Sequence, residues 1–148
     1  MNFQLSRRIR RQTNKDMQAV EEKRFTYKGL PCVILFTPLG YRCGYVGIPK
    51  GKKIDPKKIV CHGDITYTGS TLGDKKTDRW DGTWIGFDCG HTFDGRDIKA
   101  TRKYYGDNKF LVGLVEHKAE RFPYPPKSIS FCVGECQSIA RQVTEALK

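Results

Sequence analysis

The spacing of apolar residues changes twice along this chain of 148 residues, and the changes divide it into three parts. Residues 1–24 place their apolar positions on one face of a helix. Residues 25–94 carry short runs of β-branched and aromatic residues separated by glycine and proline, a pattern typical of strands and turns. Residues 95–148 return to helical spacing. The pattern predicts one α+β domain, a mainly antiparallel sheet of about five strands packed by N-terminal and C-terminal helices.

The first part predicts a basic amphipathic helix over residues 2–22. Its apolar face consists of Leu5, Ile9, Met17 and Val20. Four arginines fall on the remaining surface: Arg7, Arg8, Arg10 and Arg11. These arginines are candidates for contacts with phosphate groups, although arginines outside a terminal helix are about as often only a solvated face.

The middle part predicts the sheet. Residues 32–36 are apolar at every position, which favours a central strand that is covered by helices. Residues 59–94 hold two further runs, one with Ile65 and Tyr67 and one with Trp84 and Phe87, joined by a long polar loop. We expect these runs to pair as an antiparallel hairpin, which brings the residues beyond their outer ends together.

The last part predicts three helices. Residues 97–105 form a short helix ended by Gly106, and Asp107 is the predicted cap of a second helix. The apolar stripe of that second helix is Phe110, Leu111, Leu114 and Val115. The final helix begins after Ser128, and its apolar positions alternate spacings of four and three: Ile129, Val133, Cys136, Ala140, Val143 and Leu147. We therefore expect Cys136 in the core and Cys132 on the flank of the buried stripe.

The composition narrows the class of protein. A hydrophobic fraction of 38% and a charged fraction of 29% are typical of a soluble globular domain. No apolar run has the length of a membrane span, and the N-terminal residues lack the hydrophobic stretch of a secretory signal, so we expect a cytosolic protein. In a reducing cytosol, the six cysteines are more typical of metal ligands or buried thiols than of disulfides.

Candidate metal ligands gather at the outer ends of the predicted hairpin. Residues two apart on a strand share a face, so Cys89 and His91 are expected to point the same way. Asp94 follows where the strand ends, and His62 arrives from the neighbouring strand. Two imidazoles, a thiolate and a carboxylate form a donor set that a tetrahedral Zn²⁺ ion accepts. The sequence therefore predicts a zinc site made of His62, Cys89, His91 and Asp94.

The role of this site depends on Cys89. With the thiolate the shell is closed and the ion is structural, which is the alternative that we favour. Without it, the other three donors leave a position open for water, as in hydrolytic zinc sites, with Asp64 or Asp88 as general base. Cys61 is the substitute for Cys89. The alternative to any metal is a polar hairpin end in which the histidines bond to backbone carbonyls and Asp94 caps a turn.

The net charge of +11 indicates an acidic partner, which is nucleic acid, a guide–protein complex or an acidic protein face. Besides the arginines of the first helix, one loop forms a second basic patch with Lys50, Lys52, Lys53, Lys57 and Lys58. The alternative is that these side chains only keep the protein soluble.

Three segments of the chain resemble a family of small proteins from tailed phages and prophages of Gram-positive bacteria. The segments are YRCGYVGIPKG, CHGDITYTGS and WIGFDCGHTFDG, and the family shows YVG-P-G, HGGLTYS-like and GFDCAH-x-GD segments in their place. The resemblance covers residues 25–95, with a weaker likeness around Glu135 and Cys136. It places His62, His91 and Asp94 on the recurring His, His and Asp of the family. This chain departs from the pattern at Asp64 and in its basic loop over residues 50–58.

The resemblance implies a phage protein that acts in the cytoplasm of the host bacterium. Phage accessory proteins of this size often inhibit host defence, and some anti-CRISPR proteins contain zinc. Our leading hypothesis is therefore a zinc-binding anti-CRISPR protein that binds a type II RNA-guided nuclease and blocks loading of target DNA. The rival hypotheses are a metal-dependent hydrolase and a basic phage accessory protein that binds nucleic acid.

Overall fold

The computed structural model describes residues 18–72 and 80–148. The strands are β1 (Val20–Tyr27), β2 (Leu30–Phe36), β3 (Arg42–Pro49), β4 (Tyr67–Gly69) and β5 (Gly82–Asp88). The helices are α1 (Ile98–Tyr105), α2 (Lys109–Arg121) and α3 (Ile129–Ala146), and a short 3-10 helix covers Pro56–Lys58. The predicted α+β class is confirmed.

The five strands form one antiparallel sheet in the order β1-β2-β3-β5-β4. β2 lies between β1 and β3, and Cys32 and its four successors are buried, as their unbroken apolar run predicts. The turn from β1 to β2 places Lys28 at φ 54° and Gly29 at φ 76°. Two successive residues in the left-handed region are typical of the tight turns that match the twist of a hairpin.

Helix α3 covers one face of the sheet and supplies the main core. Its buried side chains are Cys132, Cys136, Ile139, Ala140 and Val143, and they pack against apolar residues of β2, β3 and β5. The Ser128 side chain accepts a hydrogen bond from the backbone of Phe131 and caps the helix at the predicted position. Cys136 is buried as predicted, whereas Cys132 is 0% exposed and therefore belongs to the stripe itself.

The opposite face of the sheet is covered by loop residues around Trp84 and Leu72, both 0% exposed. None of the described residues in this cluster belongs to a helix, so the expected helical cover of β2 is wrong for this face. Trp80 packs beside Trp84 and donates from its ring nitrogen to the carbonyl of Ile48 at 2.9 Å. At the end of the sheet, α1 and α2 close a smaller cluster around Phe36. Among the described helices, none has both the length and the apolar character needed to cross a membrane.

The predicted N-terminal helix is wrong at its C-terminal end. Val20 to Glu22 belong to β1, where Val20 pairs with Phe36 of β2, and the rest of the predicted helix up to residue 17 lies outside the described residues. Val20 and Glu21 pair with β2, and Glu22 lies at the irregularity in the register between Glu21 and Lys23. The Glu22 side chain is 2% exposed and pairs with Arg42 in the core. The spacing of Val20 from the apolar residues before it fits a helix, but that spacing carries no information about β2 or Arg42, which are distant in the sequence.

The short helix over residues 97–105 is confirmed by α1, which Asp97 caps and Gly106 ends. In α2 the cap is Asn108, one residue beyond the predicted Asp107, and its side chain accepts from the backbone of Leu111 at 3.0 Å. The predicted apolar stripe of α2 is only half buried. Leu111 and Val115 are buried, whereas Phe110 is 78% exposed and Leu114 is 50% exposed.

Candidate metal centre

His62 lies in a turn, not on a strand as predicted. β4 pairs with β5 as an antiparallel hairpin but contains only three residues, and the chain turns upstream of it, with the Asp64 N–H donating to the Cys61 carbonyl at 3.1 Å. Gly63 and Asp64 have φ values of 66° and 65°, so their backbone leaves the extended conformation. Helix α3 holds the turn, because Oε1 of Glu135 accepts from the His62 N–H at 2.8 Å.

His91 and Asp94 lie in a second turn, directly after β5. The Asp94 N–H donates to the His91 carbonyl at 2.9 Å, and Oδ2 of Asp94 accepts from the His91 N–H at 3.0 Å. These two reciprocal bonds close the turn and direct the carboxylate toward the imidazole of the same turn. Asp94 therefore caps a turn, as the metal-free alternative predicted, and also faces both histidines.

The two turns bring His62, His91 and Asp94 together. Nε2 of His62 lies 2.9 and 3.0 Å from the two Asp94 carboxylate oxygens, and Nδ1 of His91 lies 3.1 Å from Oδ2. One donor atom from each residue lies within 4.8 Å of the other two. The Asp94 side chain is 3% exposed, whereas those of His62 and His91 are 24% and 38% exposed. The group is thus anchored on a buried carboxylate and open on its imidazole side.

The environment of Asp94 favours its ionised form. Burial by itself raises the pKa of this carboxyl, but hydrogen bonds from His62 and from the backbone and side chain of His91 outweigh burial and lower the pKa below its ordinary value. An ionised carboxylate only accepts, so His62 donates from Nε2 and His91 from Nδ1. A metal ion that takes these two nitrogens must displace both protons.

Further side chains complete the surroundings. The ring of Phe131 meets His62 edge to face at 5.3 Å between centroids, and Nζ of Lys127 lies 3.9 Å from Oδ1 of Asp94. On the outer side of His91, Oδ1 of Asp88 lies 3.5 Å from Nε2. A carboxylate is a usual outer partner of a metal-bound histidine, because it orients the imidazole ring and raises its basicity.

Cys89, the fourth ligand in the sequence prediction, is not part of this group. β5 ends at Asp88, so the strand alternation that was expected to align Cys89 with His91 stops before either residue. Cys89 is 1% exposed and its Sγ lies 3.8 Å from Sγ of Cys132 on α3. The hydrogen bond with Cys132 and burial both raise the pKa of the Cys89 thiol. The substitute ligand, Cys61, packs against the edge of the same core.

Two carboxylates near the site were not recognised as its supports. Glu135 holds the His62 turn from α3, and Asp88 stands behind His91 although the sequence indicated it only as a possible general base. The sequence does hold one indication for Glu135. It lies beside Cys136 on the flank of the predicted buried stripe, where a charged side chain needs a polar partner. Asp88 also accepts from the Thr66 hydroxyl at 3.0 Å.

The five predicted partner-binding lysines between Lys50 and Lys58 are all exposed. Lys50 forms a loose ion pair with Asp81 at 3.8 Å. The predicted cluster Arg7, Arg8, Arg10 and Arg11 lies outside the described residues.

Comparisons with protein-family models, with curated proteins and with solved structures found no match for this chain. The likeness to phage proteins therefore stays a prediction.

Proposed function

We propose that the protein binds one divalent transition-metal ion, Zn²⁺ in the first place, through Nε2 of His62, Nδ1 of His91 and a carboxylate oxygen of Asp94. The observation that supports this proposal is the convergence of three donor atoms within 4.8 Å. Two imidazoles and a carboxylate suit zinc, whose bonds to such atoms are about 2.0–2.2 Å long. Asp88 and Glu135 would hold His91 and the His62 turn in place as outer supports.

The activity that such a site supports best is metal-dependent hydrolysis. With Cys89 turned into the core, the site offers three protein ligands and leaves its imidazole side open, which is the arrangement of catalytic and not of structural zinc. When bound, the ion would supply Lewis acidity to a water or a substrate oxygen. Asp94 would offset one of the two positive charges of the ion, and the partly exposed imidazoles would frame the open position.

Metal binding is tested by elemental analysis of the purified protein and by zinc titration of the metal-free protein. We expect one equivalent of zinc per chain. Asp94→Asn and His62→Gln should each reduce the zinc affinity by more than about 100-fold, because the loss of a residue that only supports a ligand costs up to about 100-fold. His117→Gln is the matched control, because His117 is exposed on α2 and lies outside the group. Equal zinc affinity in Asp94→Asn and the parent chain would contradict the site.

Hydrolysis is tested with p-nitrophenyl phosphate, bis-p-nitrophenyl phosphate and p-nitrophenyl acetate. We expect activity on at least one ester that a chelator removes and zinc restores, with an unchanged circular dichroism spectrum throughout. Activity that persists in Asp94→Asn would come from another site or a contaminant. If zinc binds and none of the three esters reacts, the hydrolase proposal fails while the metal site stands.

A second candidate function is inhibition of a type II CRISPR nuclease in the host cytoplasm, where the protein would block loading of target DNA. The observation that favours it is the basic loop, whose five lysines are exposed on a chain with a net charge of +11. Such a surface would bind anionic groups of the nuclease complex, either acidic protein faces or the phosphates of its guide RNA and target DNA, through contacts that weaken as salt rises. The resemblance to phage proteins adds to this candidate.

This candidate is tested by target DNA cleavage with several type II nucleases. We expect inhibition that is lost in the double variant Lys52→Glu, Lys53→Glu and kept in Lys99→Glu, Lys109→Glu, which changes the net charge equally at exposed helical positions. No inhibition of any nuclease would remove the candidate. Direct DNA binding that weakens steeply with salt, without inhibition, would favour a nucleic-acid-binding accessory protein instead.

A further inference from the structure

A groove that is lined by none of His62, His91 and Asp94 runs between the β2–β3 turn and helix α2. Its volume is about 430 Å³, and its walls include Leu39 and Tyr41 on one side and Leu111 and Leu114 on the other. Leu39 is 53% exposed and Leu114 is 50% exposed. Phe110, four residues before Leu114 on the same helix face, is 78% exposed and extends the apolar surface along α2. A contiguous exposed apolar surface of this kind is typical of an interaction site.

The walls of the groove are held rigidly. Gly40 has a φ of 86° and lies so close to Val115 that any side chain at residue 40 would collide with it. The carbonyl of Gly40 also accepts from the Asp97 N–H at 2.8 Å, which ties the β2–β3 turn to the start of α1. The groove is therefore present before any partner binds, which reduces the entropic cost of binding.

The polar rim of the groove is cationic. The guanidinium of Arg96 lies 5.0 Å above the Tyr41 ring and donates to the Asp94 carbonyl at 3.0 Å. Lys118 stands on the α2 side, beside His117. Within residues 18–72 and 80–148, no carboxylate lines the groove or forms an ion pair with Arg96 or Lys118. These charges are available to an anionic partner.

We propose that this groove is a docking surface for an acidic protein segment that places a large apolar side chain between Leu39 and Leu114 and its carboxylates against Arg96 and Lys118. The apolar walls select the side chain, and the rim selects its flanking charges. A nucleic-acid base is a poor occupant, because Arg96 covers one face of Tyr41 and Gly90 packs closely against the ring. A second copy of this chain is disfavoured by its net charge of +11.

The test is fluorescence anisotropy with a labelled peptide of about ten residues, a Leu-Phe pair flanked on both sides by glutamates. We expect binding that weakens as salt rises and falls at least about tenfold in Leu114→Ser and in Lys118→Glu. Val60→Ser is the matched control, because Val60 is 75% exposed and lies outside the groove. Peptides with the Leu-Phe pair replaced by serines, or with glutamines in place of glutamates, should bind at least about tenfold more weakly.

Several results would overturn the proposal. One is that the acidic apolar peptide does not bind, and another is that it binds Leu114→Ser as tightly as the parent chain. A third is that the parent chain sediments as a dimer and Leu114→Ser as a monomer. Binding to vesicles of anionic lipid that Leu114→Ser abolishes, with no peptide binding, would assign the groove to a membrane surface and likewise overturn it. Asp94→Asn, which removes the metal centre, should bind the peptide like the parent chain, so the two proposals fail independently.

Discussion

The Asp94 carboxylate organises the candidate centre at the residue scale. It accepts from both imidazoles and from the His91 N–H while its side chain is 3% exposed. A buried carboxylate needs such partners, because an unpaired one would carry the full cost of its lost hydration. The same lone pairs that hold the two histidines are those that a metal ion would use.

The position of Cys89 leads to a prediction about metal binding. Cys89→Ala should keep one equivalent of zinc and an unchanged zinc affinity, because its Sγ faces Cys132 and not the histidines. The free energy of unfolding should fall by about 1 kcal/mol because a small group leaves a packed core. Zinc titration and urea unfolding measure the two effects. A loss of zinc affinity comparable to that of Asp94→Asn would show that Cys89 is a ligand after all.

Gly63 leads to a second prediction at this scale. It has a φ of 66°, and a side chain at this position would overlap the imidazole of His91. Gly63→Ala should therefore lower the free energy of unfolding by more than the roughly 1 kcal/mol of backbone strain and should also weaken zinc binding. Urea unfolding and zinc titration measure both.

The matched control for Gly63→Ala is Gly51→Ala. Gly51 has a φ of 80°, and a Cβ there would meet no atom within 4 Å, so this variant carries the backbone strain alone. It should cost about 1 kcal/mol and leave zinc affinity unchanged. If the two variants behave alike, the predicted contact between residue 63 and His91 is absent.

At the element scale, Arg42 joins parts of the chain that are distant in sequence. Its guanidinium donates to Glu22 of β1 at 2.6 and 3.2 Å, to Asp97 at 2.9 Å and to the Lys127 carbonyl before α3 at 3.1 Å. Asp97 uses its other oxygen to cap α1. One buried cation thus fixes an edge strand, a central strand and the starts of two helices.

This network predicts unequal effects of the same substitution at two adjacent residues. Glu22→Gln should lower the free energy of unfolding by about 2–4 kcal/mol, because the Glu22 side chain is 2% exposed and its loss leaves the Arg42 charge less compensated. Glu21→Gln should cost less than about 1 kcal/mol, because Glu21 pairs with Arg24 at the surface. Urea unfolding of both variants measures the difference, and equal costs would mean that the Arg42 network does not stabilise the fold.

At the scale of the whole molecule, buried thiols make stability depend on alkaline pH. Burial raises the pKa of Cys32 to about 11 and that of Cys43 to about 12, from an ordinary value of 9.0. Above pH 9 the unfolded chain loses these protons while the folded chain keeps them. The stabilisation from each neutral thiol is therefore complete below pH 9 and is lost as the pH rises through the folded pKa.

The expected result is a free energy of unfolding that falls between about pH 9 and pH 11, by up to about 1.4 kcal/mol per pH unit for each such thiol. Urea unfolding at pH 8, 9, 10 and 11 measures it. In Cys32→Ala the decline should be shallower, because one of the contributing protons is absent. An equal slope in both chains would show that Cys32 does not contribute.

The local sequence determined those features that depend on neighbours in the chain. The apolar run over residues 32–36 was enough to predict a strand that is buried on both faces. Ser128 and the helical spacing of the apolar residues after it were enough to predict α3. His62, His91 and Asp94 were also identified, because their types and their places beyond two strand-like runs indicate a shared site. In each case the physical determinant, a period, a cap or a donor type, lies within a few residues.

Only the tertiary structure decided the features that depend on distant contacts. Val20 to Glu22 became a strand because β2 offered hydrogen-bond partners and Arg42 a counter-charge. Cys89 turned into the core because β5 ended one residue earlier and α3 placed Cys132 opposite it. The open candidate metal site and the groove beside Leu114 follow from such contacts, since the direction of a side chain depends on what packs against it. No spacing along the chain carries that information.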